Sequence, residues 1–152
     1  IDPERFEAMQ AADAFLESAR VFGNGYGTAA ADVARARANG HDVVLEIDWQ
    51  GARQVRRRVP ETTSIFILPP SRDSLRARLT RRGTDSGRTI ARRMAAAATE
   101  MAHWDEYEYV IVNDVFERAL ADLAVAVAGG DAAEARIHPN LADFVAGLLA
   151  SA

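Results

Sequence analysis

Apolar positions along this chain alternate between two spacings. Phe6, Met9 and Ala12 recur three apart behind Asp2-Pro3, an N-cap followed by a first-turn proline, which predicts a short amphipathic helix from Pro3 to about Asp13. Phe15 to Phe22 then reads as a strand. Thr28 is placed to cap a helix over Ala29 to Ala38, which stops at Asn39-Gly40, with glycine where left-handed geometry is tolerated. Val43 to Asp48 and Ser64 to Leu68 are short, branched and mostly apolar, and a helical stretch from Gln50 to Arg58 lies between them. That order predicts β-α-β, with parallel strands buried by helices.

Pro69-Pro70 ends the second of these strands. Asp73 to Arg82 and Arg88 to His103 read as arginine-rich helices flanking the loop Gly83 to Ser86, Tyr109 to Val112 as a further buried strand, and Val115 to Ala128 as the helix that follows it. A looser connection begins at Gly129-Gly130, and Leu141 to Leu149 forms a last helix. Alternating strands and helices predict an α/β fold. Ligands of open sheets gather beyond the carboxyl ends of the strands, which singles out Asp48, Pro69 and Asn113-Asp114.

Composition narrows the functions open to such a fold. The 152 residues suffice for one domain with a core, and eighteen basic against twenty-two acidic residues give a net charge of −4. That balance speaks against a nucleic-acid partner. No apolar run approaches the ~20 residues of a membrane span. Without cysteine there are no disulfides, thiolate nucleophiles or zinc-thiolate sites, in keeping with a reducing cytoplasm. His41, His103 and His138 lack metal-ligand spacing, and Asp105, Glu106 and Glu108 read as a solvated acidic run.

The stretch Val21 to Thr28, V-F-G-N-G-Y-G-T, places Gly23, Gly25 and Gly27 between predicted strand and predicted helix. Its simplest reading is a turn. A Rossmann turn would use Asp48 as the ribose-binding acid, but the spacing is G-x-G-x-G and Tyr26 is bulky where bare backbone should meet a pyrophosphate. A P-loop needs a lysine for the β- and γ-phosphates, and every basic residue in this chain is arginine. The loop is therefore no triphosphate cradle, although Tyr26 and Thr28 can offer hydroxyls to a smaller ligand.

Six separated blocks read together carry a more specific signal: F-L-E-S-A-R-V-F-G-N-G-Y-G-T, V-V-L-E-I-D-W-Q-G-A, S-I-F-I-L-P-P-S, R-L-T-R-R-G-T-D-S, I-A-R-R-M and Y-V-I-V-N-D. In this order and spacing the chain resembles bacterial guanylate kinase from Ile1 to about Ala128. The resemblance implies a P-loop nucleoside monophosphate kinase-like fold, with a parallel core sheet flanked by helices, a GMP-binding subdomain and a helical lid. The divisions it implies are 1–37 for the remnant of the GMP-binding subdomain, 38–73 for core, 74–96 for the lid, and 97–152 for core and C-terminal helices.

It further implies transfer of the γ-phosphoryl group of ATP, with Mg²⁺, to GMP or dGMP in purine nucleotide metabolism. By position, Glu17 matches the carboxylate that reads guanine, Tyr26 and Thr28 match GMP-binding hydroxyls, and Asp48 matches an acid near GMP and the hydration shell of Mg²⁺, with no direct metal ligand. A carboxylate suits guanine because it can accept both N1–H and N2–H, an adjacent donor pair that adenine lacks. Glu46 is expected behind this layer. Arg78, Arg82 and Arg93 match phosphate-facing lid arginines, with Arg78 and Arg82 also on ATP, and Asn113 matches the residue beside adenine. Arg56, Arg57, Arg58, Arg76 and Arg88 are read as solvated.

The chain departs from the family pattern in two ways. Gly25 stands where a first tyrosine is common, and the family's strand, P-loop and helix do not precede Ile1. The expectation is an N-terminally truncated guanylate kinase that is inactive by itself. A guanylate-kinase-like module that binds a protein partner without catalysis is the alternative, and it would not need the lid arginines.

Overall fold

The computed structural model describes residues 1–21, 23–81, 86–129 and 140–150. The chain divides into two compact units, Ile1–Thr62 and Thr63–Ala152.

The first unit is a hairpin with three helices. α1 spans Pro3–Ala11, where the Asp2 side chain accepts from Arg5 N at 2.7 Å and proline fills the first turn. Its buried Phe6 packs on Phe15, with ring centroids 4.9 Å apart, and the Arg20 guanidinium lies 6.0 Å above the Phe6 ring. β1, Phe15–Val21, pairs antiparallel with β2, Asn24–Ala29. α2, Ala30–Ala38, ends at Asn39, and Gly40 takes a φ of 77°. α3, Trp49–Arg58, packs on β1 through its buried residues Ala52 and Val55.

The glycine-rich stretch is thus split: Gly23 stands in the turn with a φ of 87°, while Gly25 and Gly27 belong to the second strand of the hairpin. Gly25 and Gly27 sit beneath aromatic rings: a Cβ on Gly25 would lie 2.9 Å from Phe6, and one on Gly27 2.9 Å from Phe15. Glycine is used here to admit a ring and not only to bend the chain. The ladder register shifts between Phe15 and Glu17, which pair with Ala29 and Thr28 respectively. Two β1 steps therefore match one β2 step, as in a β-bulge.

Two further expectations are corrected in this unit. Thr28 does not cap α2; Ala29 occupies the cap position with no side-chain bond, and the Thr28 hydroxyl is committed to Glu17. Val43–Asp48 does not form a ladder strand, so the expected β-α-β unit is not made, and Val44 is 82% exposed. Branched apolar residues favour extended backbone, but a strand also needs a neighbour, and among the described residues none pairs with this segment.

In the second unit β3, Ile65–Leu68, and β4, Tyr109–Val112, form a parallel pair in the register Ile65↔Tyr109 to Leu68↔Val112. The crossover between them carries α4, Arg72–Arg81, and α5, Gly87–Met101, as parallel pairing requires a long connection. Ser86 caps α5, accepting from Thr89 N at 3.3 Å. α6, Phe116–Val127, packs on β4, and α7, Leu141–Ala150, packs on α5. The core joins Leu68, Met101, Val110, Val145 and Leu148, with Phe66 and Trp104 against it. Burying a side chain such as Leu68 contributes about 1.5–3 kcal/mol. No helix among the described residues is long and apolar enough to cross a membrane.

Candidate active site

The first unit holds a cavity of about 250 Å³ lined by Glu17, Ala19, Tyr26, Glu46, Ile47 and Asp48. Its walls follow from strand alternation. Glu17 and Ala19 of β1 stand opposite Thr28 and Tyr26 of β2, so these four share one face, while Gly25 and Gly27 turn the other face to the aromatic rings.

Glu17 is the one buried charged residue among those described, at 4% exposure. The Thr28 hydroxyl donates to its Oε1 at 2.7 Å. Burying a carboxylate is costly unless hydrogen bonds hold it. Asp48 combines both roles weighed for it: its Oδ1 accepts from Gly51 N at 2.8 Å, capping α3, while the same residue lines the cavity. Tyr26 is 57% exposed, with its phenol available at the cavity mouth.

One participant was misplaced by the sequence and two, Gly51 and Gln54, were missed. Glu46 lines the cavity itself and does not stand behind it. Gly51 lies against Glu17, as a Cβ there would fall 2.7 Å from Oε2. Gln54 clips the edge of β1: its Oε1 accepts from Ser18 N at 3.1 Å and its Nε2 donates to Ser18 O at 2.9 Å. An available signal was the glycine within D-W-Q-G-A-R-Q, since glycine inside a helix is costly without a packing reason.

In the second unit Arg78 and Asn113 come together. The Arg78 Nη2 donates to the Asn113 carbonyl at 2.7 Å, while Asn113 N donates to Leu68 O at 2.8 Å and extends the β3–β4 pairing by one residue. Arg93 is half-buried on α5. Arg82 lies outside the described residues, as does His138. His103 accepts or donates at Nδ1 with Glu106 Oε1, 2.8 Å away, a local contact beside a short 3-10 turn.

The chain matches the family model described as guanylate kinase over residues 1–129. It is 52% identical over 149 residues to guanylate kinase of Alkalilimnicola ehrlichii, covering 98% of this chain and 73% of the relative. It is 53% identical over 149 residues to that of Methylococcus capsulatus, with the same 98% and 73% coverage. The crystal structure of guanylate kinase from Anaplasma phagocytophilum aligns with a TM-score of 0.68 at 30% identity, covering 95% of this chain and 70% of that one.

An α/β arrangement with this likeness defines a protein of the P-loop nucleoside monophosphate kinase class. Within that class, the chain belongs to the guanylate kinase family, the ATP:GMP phosphotransferases.

Proposed function

We propose that the cavity of the first unit takes the guanine nucleotide acceptor and that Glu17 selects its base. The observation carrying this reading is a buried carboxylate, fixed by Thr28, in the wall of a cavity of about 250 Å³. An ionised carboxylate has about four lone-pair sites, so Glu17 can hold Thr28 and still accept from guanine N1–H and N2–H. The Tyr26 hydroxyl reaches for the nucleotide phosphate, and Thr28 orients Glu17 as well as contacting the ligand.

Phosphoryl transfer joins an oxygen of the GMP phosphate to the γ-phosphorus of ATP as the bond to the ADP oxygen breaks. Charge spreads over the equatorial oxygens, and Arg78, Arg82 and Arg93 supply guanidinium groups that stabilise it, with Arg78 and Arg82 also holding ATP and Asn113 beside its adenine. Glu46 and Asp48 bring two carboxylates to the cavity wall, acceptors suited to the O–H groups of the water shell of a magnesium ion that would enter with ATP. Such an ion, when bound, neutralises phosphate charge. Residues 1–37 form the acceptor subdomain and 74–96 the lid, in a protein that works in the cytoplasm on GMP or dGMP.

Glu17→Gln tests the assignment. It replaces an acceptor oxygen by a donor that faces guanine's own donors, and calorimetry should show GMP affinity reduced about 10- to 100-fold, the equivalent of ~1.5–3 kcal/mol. Unchanged affinity would remove Glu17 from base recognition. Tight capture of a phosphopeptide by the wild-type chain, with no response to GMP, would instead favour the interaction module.

A further inference from the structure

The first turn of α3 carries a glycine where helix propensity favours almost any other residue. Gly51 is buried, and a Cβ built on it would lie 2.7 Å from Glu17 Oε2, 3.3 Å from Glu17 Cδ and 3.3 Å from Ile47 Cβ. The carboxylate thus occupies the space a side chain would need. A flexible side-chain tip ordinarily yields at little cost. Here the residue is only 4% exposed and its other carboxylate oxygen is held by Thr28 at 2.7 Å, so yielding means turning the carboxylate off Thr28 or out of the wall. The backbone offers little give, because the Gly51 N–H is tied to Asp48 Oδ1 at 2.8 Å and Gln54, one turn on, clips Ser18 next to Glu17.

We propose that Gly51 is a specificity-positioning residue: its bare Cα sets how far the Glu17 carboxylate withdraws into the cavity wall, and so aligns it with the paired N1–H and N2–H of guanine. This rests on the assignment of Glu17 as the base-reading group. A side chain at position 51 would displace Oε2 by several tenths of an ångström, enough to spoil hydrogen bonds whose useful range is about 2.7–3.2 Å. Phosphate-borne affinity does not pass through this contact and should survive.

The test uses the full 152-residue chain as wild type, Gly51→Ala, Glu17→Ala and the double variant. Each is titrated calorimetrically with GMP and with inosine monophosphate, which keeps N1–H but lacks the N2–H donors, and each is melted thermally. Gly51→Ala should weaken GMP more than inosine monophosphate, which has only the N1–H bond to lose, and so cut the preference for GMP roughly tenfold. Its Tm should fall where Glu17 is present and rise where residue 17 is alanine, because alanine is the better helix former once the carboxylate is gone. A full GMP preference in Gly51→Ala, or an equal Tm shift in both backgrounds, would overturn the proposal. Failure of the underlying assignment looks different: Glu17→Ala itself keeps the wild-type preference while the Tm reversal persists, which overturns the specificity role and leaves only the packing contact.

Discussion

Glu17 is held by contacts that can be removed singly. Thr28→Val keeps the shape and deletes the hydroxyl that donates at 2.7 Å, leaving a buried carboxylate oxygen short of a partner. The expected result is a loss of about 1–3 kcal/mol in denaturant unfolding, together with weaker GMP binding. The exposed pair Asp13–Arg58 behaves differently. Its hydrogen bond, aided by the guanidinium charge, lowers the Asp13 pKa, and that of Glu61 is lowered by a backbone hydrogen bond of its own and then by one from Arg37. A depressed carboxylate pKa stabilises above the unfolded value and loses that contribution as pH falls through the folded one. Stability curves of wild type and Asp13→Asn should therefore differ above about pH 4 and converge below it. A gap that widened toward acid would contradict the ion pair. Solvent screening keeps this effect small.

At the level of elements, Gln54 replaces a missing strand at one edge of β1. Its amide makes two bonds to Ser18, at 3.1 and 2.9 Å, in the pattern a neighbouring backbone would use. Gln54→Ala should cost about 1–2 kcal/mol and speed hydrogen exchange at the Ser18 amide. Unaltered exchange there would refute the clip. Such pairing explains which elements were legible beforehand. Helices α3 to α7 and strands β3 and β4 announce themselves through local periodicity, caps and breakers. Val43–Asp48 has the same local signature as β3, yet β3 has Tyr109–Val112 beside it and Val43–Asp48 has no strand neighbour among the described residues. Pairing is a non-local fact that composition does not carry. β1 was legible too, but β2 was hidden for the opposite reason, because Gly25 and Gly27 signal a turn unless one knows that Phe6 and Phe15 cover them. The site follows the same division: the acid and hydroxyls were readable from motif position, whereas Gly51 and Gln54 act through residues more than thirty positions away, at Glu17 and Ser18.

For the molecule as a whole, the basic residues carry a prediction about phosphoryl transfer by this chain. All eighteen are arginine, which suits the planar recognition of phosphate but leaves no lysine side chain to reach between β- and γ-phosphates. The 152-residue chain alone should thus release no ADP above background in a coupled assay while GMP still raises its Tm. Ordinary turnover would show that arginine can take over the lysine's task. The irregular register step between Phe15 and Glu17 has a consequence for how such sequences can vary. Because of that one surplus residue, Phe15 falls toward Gly27 while Glu17, two places on, falls toward Thr28. An unbroken ladder of the same length would put Phe15 and Glu17 on one face, because residues two apart in a strand point the same way, and either the acid would fall against Phe6 or the benzyl group would fall into the cavity. Variation at this step can therefore exchange residues freely only if the surplus residue stays bulged, or is lost together with the bulge, so that the ring and the acid keep opposite sides.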